Sequence, residues 1–117
     1  YAGGGLTGTI TVVGSTSVAP LMERMSEAYR ELNPDVSIDI QSLGSGAGIN
    51  AARDGVADIG MSSRDLREAE LEVLNAVAVA LDGLAVIVNN DNPTANLSPE
   101  QIHDIFVGYI TRWNEMR

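Results

Sequence analysis

Three times between residues 9 and 75 the chain passes from a short apolar run to a cluster of Gly, Ser and Thr, and then to a helical pattern. The apolar runs are rich in β-branched residues or alternate with polar ones, as strands do, at residues 9–13, 36–40 and 57–61. Helical patterns follow at residues 18–32, 49–54 and 66–75. This alternation predicts an α/β fold with a mostly parallel sheet flanked by helices.

Outside this pattern the chain contains further local signals. Residues 1–7, with three consecutive glycines, predict a flexible leader. Apolar residues at 77–80 and 84–88 predict two more strands. The Asn-, Asp- and Pro-rich residues 89–96 are the best candidate for a hinge or domain boundary.

A last helix is expected after this hinge. Ser98 is suited to the N-cap, Pro99 to the first helical position, and Gln101 completes a capping box, so a helix is predicted to about Val107. His103 lies in this helix with no second histidine in the chain, and we interpret it as a surface or packing residue.

The composition excludes several classes of function. All seven basic residues are arginines, which excludes a P-loop lysine or a Schiff-base lysine. The chain has no cysteine and therefore no disulfide or thiolate metal site, and we expect neither a cofactor nor a metal. The net charge of −9 argues against nucleic acid and anionic membrane surfaces as partners.

The polar clusters at residues 14–17, 44–48 and 62–64 are the strongest functional signal. Loops that follow parallel strands meet at one edge of the sheet, which is where ligands bind in such folds. Helix N-termini at that edge leave N–H groups unpaired and bind anions without lysine, and Ser and Thr hydroxyls add donors. The clusters therefore predict an oxyanion site, although each cluster taken alone is also typical of an ordinary cap or turn.

Two charged residues are further candidates for this site. Arg64 directly follows Ser63, and its guanidinium has two kinds of candidate partner: an oxyanion, or the carboxylate of Asp65 or Glu68. Asp82 is interpreted either as the first residue of an Asp-Gly turn or as an acceptor for the proton of protonated phosphate. Sulfate has no such proton to donate.

Five segments together resemble the phosphate-binding subunits of phosphate ABC transporters: VGSTSVAPL at 13–21, GSGAG at 44–48, DIGMSSR at 58–64, DGLAVIV at 82–88 and IFVGYITRW at 105–113. The resemblance spans residues 8–117 and implies the type II periplasmic-binding-protein fold, in which two α/β lobes close on the ligand. It predicts the first ligand-binding lobe over residues 8–90, and the hinge with the start of a second lobe over residues 91–117.

The resemblance also implies the site and the partners. It implies phosphate contacts from Ser15, Thr16, Ser17, Ser45, Gly46 and Ser63. Some family members have aspartate directly after the serine of the third cluster, where this chain has Arg64, so we assign the acceptor role to Asp82. A non-enzymatic protein is implied that delivers phosphate to a membrane permease, outside the cytoplasm, in a periplasm or lipid-anchored on the outer face of the cell membrane.

Two alternatives remain open at this stage. One keeps the binding function and changes the ligand to sulfate, molybdate or tungstate, and the other is a phosphoryl-transfer enzyme or a regulatory domain. Because family members are longer and hold the ligand between two lobes, we expect these residues alone to bind phosphate weakly. We also expect them to associate into a dimer or higher oligomer through residues 97–117.

Overall fold

The computed structural model describes residues 5–116, so the first part of the predicted leader at residues 1–7 lies outside the described residues. Contacts divide the chain into two compact units, Tyr1–Ala78 and Val79–Arg117. Each unit is described by itself. The lobe boundary that the sequence places at residue 90 stays a prediction.

The first unit is built on a three-stranded parallel sheet. Its strands are β1 (Gly8–Gly14), β2 (Val36–Ser42) and β3 (Ile59–Met61), in the order β2-β1-β3. β1 pairs with β2 along its whole length, and its last three residues also pair with β3. The central strand is therefore covered on both edges where it ends, and the predicted parallel α/β architecture is confirmed.

Two helices connect these strands. Helix α1 (Ala19–Leu32) begins one residue later than predicted, and it ends where the Asn33 N–H donates to the carbonyl of Tyr29 at 2.9 Å. Helix α2 (Ser45–Arg53) is followed by Gly55 at φ +74°, the conformation expected of a C-terminal cap. In the part of the chain that the structure describes, no helix combines the length and apolar composition that crossing a membrane requires.

The start of α2 differs from the prediction, which placed the helix after a loop at residues 44–48. These residues instead form the entry and first turn of the helix. The reason is steric: a Cβ on Gly48 would lie 2.5 Å from the Cα of Gly14, and a Cβ on Gly60 would lie 2.6 Å from the carbonyl oxygen of Gly48. Without side chains at these three positions, the first turns of α2 lie directly against the ends of β1 and β3.

A small core holds α1 against the sheet. Val12, Ala19 and Met61 are almost completely buried, and they come from β1, α1 and β3 respectively. Partly buried apolar side chains surround them, namely Ile10, Val18, Met22, Ile38 and Ile40. The core thus lies close to the carboxyl ends of the strands, where it supports the polar clusters.

The helix predicted over residues 66–75 is much shorter, because α3 spans only Glu68–Leu71. Helices in proteins depend on burying an apolar face, and here Leu71 and Val73 are both at least half exposed. The Glu70 carboxylate accepts from the Arg67 N–H at the helix start, but no packing extends the helix.

The strands predicted at residues 77–80 and 84–88 are absent, so that prediction is wrong for the described structure. Strands are stable only when paired, and these residues pair with no other strand among residues 5–116. Their apolar side chains are correspondingly exposed: Val77 and Ile87 are more than four-fifths exposed, and Leu84 is fully accessible.

Helix α4 (Pro99–Phe106) in the second unit confirms the predicted helix start. The Ser98 hydroxyl accepts from the Gln101 N–H at 3.1 Å, and the Gln101 side chain accepts from the Ser98 N–H at 2.8 Å. A short 3₁₀ helix follows at Trp113–Glu115. Within this unit, side chains of α4, residues 86–92 and Trp113 line a mostly apolar cleft of about 340 Å³.

Candidate anion-binding site

Backbone hydrogen bonds bring the three polar clusters together at the carboxyl edge of the sheet. The carbonyl of Gly14 accepts from the N–H groups of Leu43 and Gly44, both at 2.9 Å, which joins the first cluster to the second. The Ser15 N–H donates to the carbonyl of Met61 at 3.0 Å, which joins the first cluster to the third. The clusters therefore meet at one edge, as the parallel topology predicts.

A direct side-chain contact joins the second and third clusters. The hydroxyl oxygens of Ser45 and Ser63 lie 3.1 Å apart, and the Ser63 N–H donates to the Ser45 hydroxyl, also at 3.1 Å. The Ser45 oxygen thus accepts a backbone bond, and its hydroxyl hydrogen can donate either to Ser63 or to a ligand. Ser63 is exposed, so this pair of hydroxyls faces solvent and can reach a ligand.

The N-terminus of α2 supplies backbone donors beside these hydroxyls. The first intrahelical hydrogen bond runs from the Gly48 N–H to the carbonyl of Gly44 at 3.1 Å. Helix geometry therefore leaves the N–H groups of Ser45, Gly46 and Ala47 without an intrahelical acceptor. The space where Gly46 would carry a Cβ is open, so a ligand can approach the backbone there. Such a terminus favours an anion.

The first cluster contains one residue with a structural role and two exposed ones. Ser15 is buried, its hydroxyl accepts from the Val18 N–H at 3.3 Å, and its carbonyl accepts from the Ala19 N–H at 3.1 Å. These bonds form the turn that leads into α1, so the hydroxyl at the start of this helix that accepts a backbone N–H is that of Ser15 and not that of Ser17, the cap considered from the sequence. Thr16 and Ser17 are exposed, and their N–H groups donate no hydrogen bond within residues 5–116.

The third cluster is a turn closed by Ser62. Its hydroxyl accepts from the Arg64 N–H at 3.2 Å and donates to the Arg64 carbonyl at 2.7 Å. Ser62 is therefore occupied in shaping the turn, whereas Ser63 points its N–H and hydroxyl toward Ser45.

Arg64 forms an ion pair, but with a different residue from those expected. Its guanidinium makes a two-pronged contact with Glu70, Nη1 to Oε2 at 3.1 Å and Nη2 to Oε1 at 2.9 Å. The carboxylates expected as partners from the sequence were those of Asp65 and Glu68, and this prediction was wrong. Asp65 instead contributes its carbonyl, which accepts from Nη1 at 2.9 Å.

Glu70 is a residue that the sequence analysis did not single out. The hydrogen bonds from Arg64 and from the Arg67 N–H lower the pKa of Glu70 to about 2, and the same ion pair raises the pKa of Arg64. The signal that could have identified it is its place in the first turn of α3, because a Glu at the third position of a helix turns its carboxylate back toward the N–H of the residue before the helix.

Asp82 belongs to the second unit, and its hydrogen bond is local. Its Oδ1 accepts from the N–H of the next residue, Gly83, at 2.8 Å, but the structure shows no turn at these residues. His103 is exposed and contacts the adjacent Asp104, in agreement with its interpretation as a surface residue. Among the described residues, no group of three or more His, Cys, Asp or Glu side chains is arranged to hold a metal ion.

Comparisons with known proteins agree with this arrangement. A family model described as a PBP superfamily domain matches residues 1–116. A phosphate-binding protein of Streptococcus pneumoniae, named PstS 2, is 49% identical over 117 residues, which are 100% of this chain and 40% of that protein. This chain therefore spans well under half the length of such curated relatives. The resemblance that the five sequence segments indicated is confirmed.

Among solved structures, this chain is similar to binding proteins of phosphate ABC transporters. The crystal structure of a phosphate-binding protein of a Streptococcus pneumoniae phosphate ABC transporter superposes with a TM-score of 0.93 at 49% identity, over 100% of this chain and 46% of that one. A Clostridium perfringens structure, described as a putative phosphate ABC transporter substrate-binding protein with bound phosphate, has a TM-score of 0.81 at 46% identity, over 93% of this chain and 45% of that one.

Proposed function

We propose that this chain, which belongs to the PBP superfamily, captures inorganic phosphate at the carboxyl edge of its sheet. The observation that carries the proposal is the contact between Ser45 and Ser63, whose hydroxyls lie 3.1 Å apart at the N-terminus of α2. Hydroxyl and backbone donors converge there on a position where helix geometry favours an anion. The phosphate-bound Clostridium perfringens relative supports phosphate as the ligand.

The ligand groups fall into two sets. Hydroxyls come from Ser45 and Ser63, and backbone N–H groups come from Thr16, Ser17 and Gly46. A tetrahedral oxyanion presents several oxygens in different directions, and donors from three separate loops match that shape. Ser15 is buried and shapes the first loop, which carries the N–H groups of Thr16 and Ser17.

A site of neutral donors also accounts for anion binding by a chain whose net charge is −9. Contacts at hydrogen-bond distance act locally, whereas carboxylates farther than a Debye length of about 8 Å are largely screened by physiological salt. The bulk charge then slows the approach of phosphate more than it weakens the bound state.

The test of this proposal is calorimetric titration with phosphate of the complete natural protein that contains this sequence. Ser45→Ala removes a hydroxyl donor to a charged ligand and should weaken binding by about 1.5 to 3 kcal/mol. Ser26→Ala is the matched control, since the Ser26 hydroxyl donates to the carbonyl of Glu23 within α1. An unchanged affinity in the Ser45 variant would reassign that residue to turn geometry.

Discrimination among oxyanions is assigned to Asp82. A carboxylate that accepts the proton of a protonated phosphate finds no such proton on sulfate, molybdate or tungstate at neutral pH. Asp82→Asn should therefore narrow the preference for phosphate over sulfate in competition titrations. An unaltered preference would remove Asp82 from the ligand set and leave only its local contact with Gly83.

The biological context follows the family. We propose a non-enzymatic binding protein that delivers phosphate to the membrane permease of an ABC transporter, outside the cytoplasm, in a periplasm or lipid-anchored on the outer face of the membrane. Saturable binding of free phosphate without release of phosphate from phosphoesters supports this role. Turnover of a phosphoester substrate would favour the alternative of a phosphoryl-transfer enzyme.

Self-association of the 117-residue chain is a separate proposal. Large apolar side chains are exposed at the end of α4, where Phe106 is 81% and Tyr109 is 78% accessible. Exposed apolar surface of this kind favours association. Light scattering of the chain should give a mass above that of a monomer, and deletion of residues 97–117 should lower the association number. A clean monomer would contradict the proposal.

A further inference from the structure

The Glu70 carboxylate is the point where the third cluster is tied to α3. It accepts three hydrogen bonds, two from the guanidinium of Arg64 and one from the Arg67 N–H at 2.8 Å. The Glu70 side chain is only 15% exposed. By comparison, the side chain of Asp54, which pairs with Arg53 at the end of α2, is 58% exposed. Glu70 is therefore held in one place, and it fixes the guanidinium that faces it.

Arg64 in turn fixes the turn that carries Ser63. Its backbone N–H and carbonyl are both bonded to the Ser62 hydroxyl, and its Nη1 donates to the Asp65 carbonyl. Ser63 lies between these two bonded residues, and its own N–H donates to Ser45. A continuous set of hydrogen bonds thus runs from Glu70 through Arg64 to the proposed ligand hydroxyls.

We propose that Arg64 and Glu70 act together as positioning residues, which hold the Ser63 N–H and hydroxyl against Ser45, and that Arg64 is not itself a direct ligand of the anion. This inference rests on the proposed function for the identity of the anion. It replaces the direct role that the sequence pattern suggested for Arg64.

The geometry favours this role over direct contact. Three of the five guanidinium N–H donors are already used, two by Glu70 and one by the Asp65 carbonyl, so the guanidinium is held against α3 and the turn, and little of it is left to contact an anion. The pair is also neutral as a whole, and a released Glu70 carboxylate would repel an anion nearby. A paired Arg64 gives the turn rigidity without exposing a negative charge to the ligand.

A double-mutant cycle distinguishes a positioning role of Arg64 from direct contact between Arg64 and the anion. In the complete natural protein, we expect Arg64→Ala and Glu70→Ala each to weaken phosphate binding about fivefold to tenfold, and the double variant to be no weaker than either one, because coupled residues act as a unit. A direct ligand would behave differently: Arg64→Ala would be severe, while Glu70→Ala would leave affinity unchanged or increase it. That result would overturn the proposal.

Arg64→Lys separates the effect of the two-pronged contact with Glu70 from the effect of the positive charge. Lysine keeps the positive charge but cannot make the two-pronged contact, so we expect it to behave as Arg64→Ala does. Affinity retained in Arg64→Lys would show that charge toward the anion matters, and would contradict the positioning role. Arg53→Ala, which breaks an exposed pair on α2, is the matched control and should leave affinity unchanged.

A ligand-free measurement tests the positioning role even if phosphate proves to be the wrong ligand. Amide hydrogen exchange of Ser63 should become about tenfold faster in Glu70→Ala, while exchange at Val12 in the central strand stays the same. Unchanged Ser63 exchange would overturn the inference and leave the proposed function standing. Faster exchange without phosphate binding by the unmodified protein would refute the proposed function and leave the positioning role standing.

Discussion

The carboxyl edge of the sheet and residues 79–88 are both rich in apolar and small residues, yet they differ in structure. At the sheet edge, β1 is paired on both sides and Val12 is 1% exposed. In the other segment, Leu81 is 100% exposed and no strand forms. An apolar run becomes a strand where a partner strand is present, and the same kind of pattern without a partner stays irregular.

This difference also concerns function. Every hydrogen-bond donor assigned to the phosphate cradle lies in residues 15–63, where backbone bonds tie the three clusters to one another. The cradle is therefore built by the elements that fold around the core of the first unit. Four substitutions test how far the two regions differ in stability.

The largest effect is expected at Met61, which is buried in the core beneath the clusters. Met61→Ala leaves a cavity and should lower the free energy of unfolding by about 2 to 5 kcal/mol in urea denaturation. Leu81→Ala is the control from the exposed segment and should change it by no more than about 0.5 kcal/mol. Equal effects at the two positions would mean that Leu81 is packed in solution, and the comparison would fail.

The next effect concerns the contact between α2 and the strand ends. Gly48→Ala would place a Cβ 2.5 Å from the carbonyl oxygen of Val13 and should destabilise the protein by about 1 to 3 kcal/mol. Gly46→Ala, in the same helical turn, meets no atom within 4 Å and should be neutral or stabilising by up to about 1 kcal/mol. Thermal unfolding measures both variants. Similar melting temperatures would contradict the close approach described for α2.

A smaller effect is expected in the second unit, at the cap of α4. Ser98→Ala removes the acceptor for the Gln101 N–H and should destabilise this helix by about 1 kcal/mol. Amide exchange within residues 101–106 should become faster, while the strands of the first unit keep their protection. Ser26→Ala is again the control. Faster exchange throughout the chain would show that the two units do not open independently.

The smallest effect depends on pH and on Glu70. Because Arg64 lowers the pKa of Glu70 from 4.5 to about 2, the folded state favours the ionised carboxylate. The stability that this contributes is present above the ordinary pKa and is lost as the pH falls toward 2. The difference in free energy of unfolding between the natural chain and Glu70→Gln should be constant above about pH 5 and vanish near pH 2.

Glu72→Gln is the matched control for this titration, since Glu72 lies at the end of the same short helix and its side chain makes no hydrogen bond among the described residues. A difference between the natural chain and Glu70→Gln that persists unchanged to pH 2 would contradict the ion pair.

Much of the fold and part of the candidate site could be predicted from the sequence, because the signals for them are local or follow from the topology. The parallel sheet follows from the alternation of strand and helix patterns, the position of α1 from its helical periodicity, and the capping box at Ser98 from its cap residues. The convergence of Ser45 with Ser63 follows from topology, since loops after parallel strands share an edge.

The sequence-based predictions that differ from the structure all depend on tertiary contacts. The first turn of α2 was assigned to a loop because its glycines lack helical propensity, and only their contact with β1 and β3 explains the helix. Glu70 was missed because its role depends on where Arg64 points, six residues away. The strands at residues 77–88 were overpredicted because a pattern of apolar residues does not reveal whether a partner strand is present.

The most direct test of the phosphate cradle is an amide NMR titration of the isotope-labelled complete protein with phosphate. We predict that the largest shifts occur together at the amides of Thr16, Ser17, Gly46 and Ser63, with one common saturation curve, while Leu32, at the far end of α1, does not shift. No shift at these amides, or shifts of similar size throughout the chain, would contradict the assignment of the phosphate site to the carboxyl edge of the sheet.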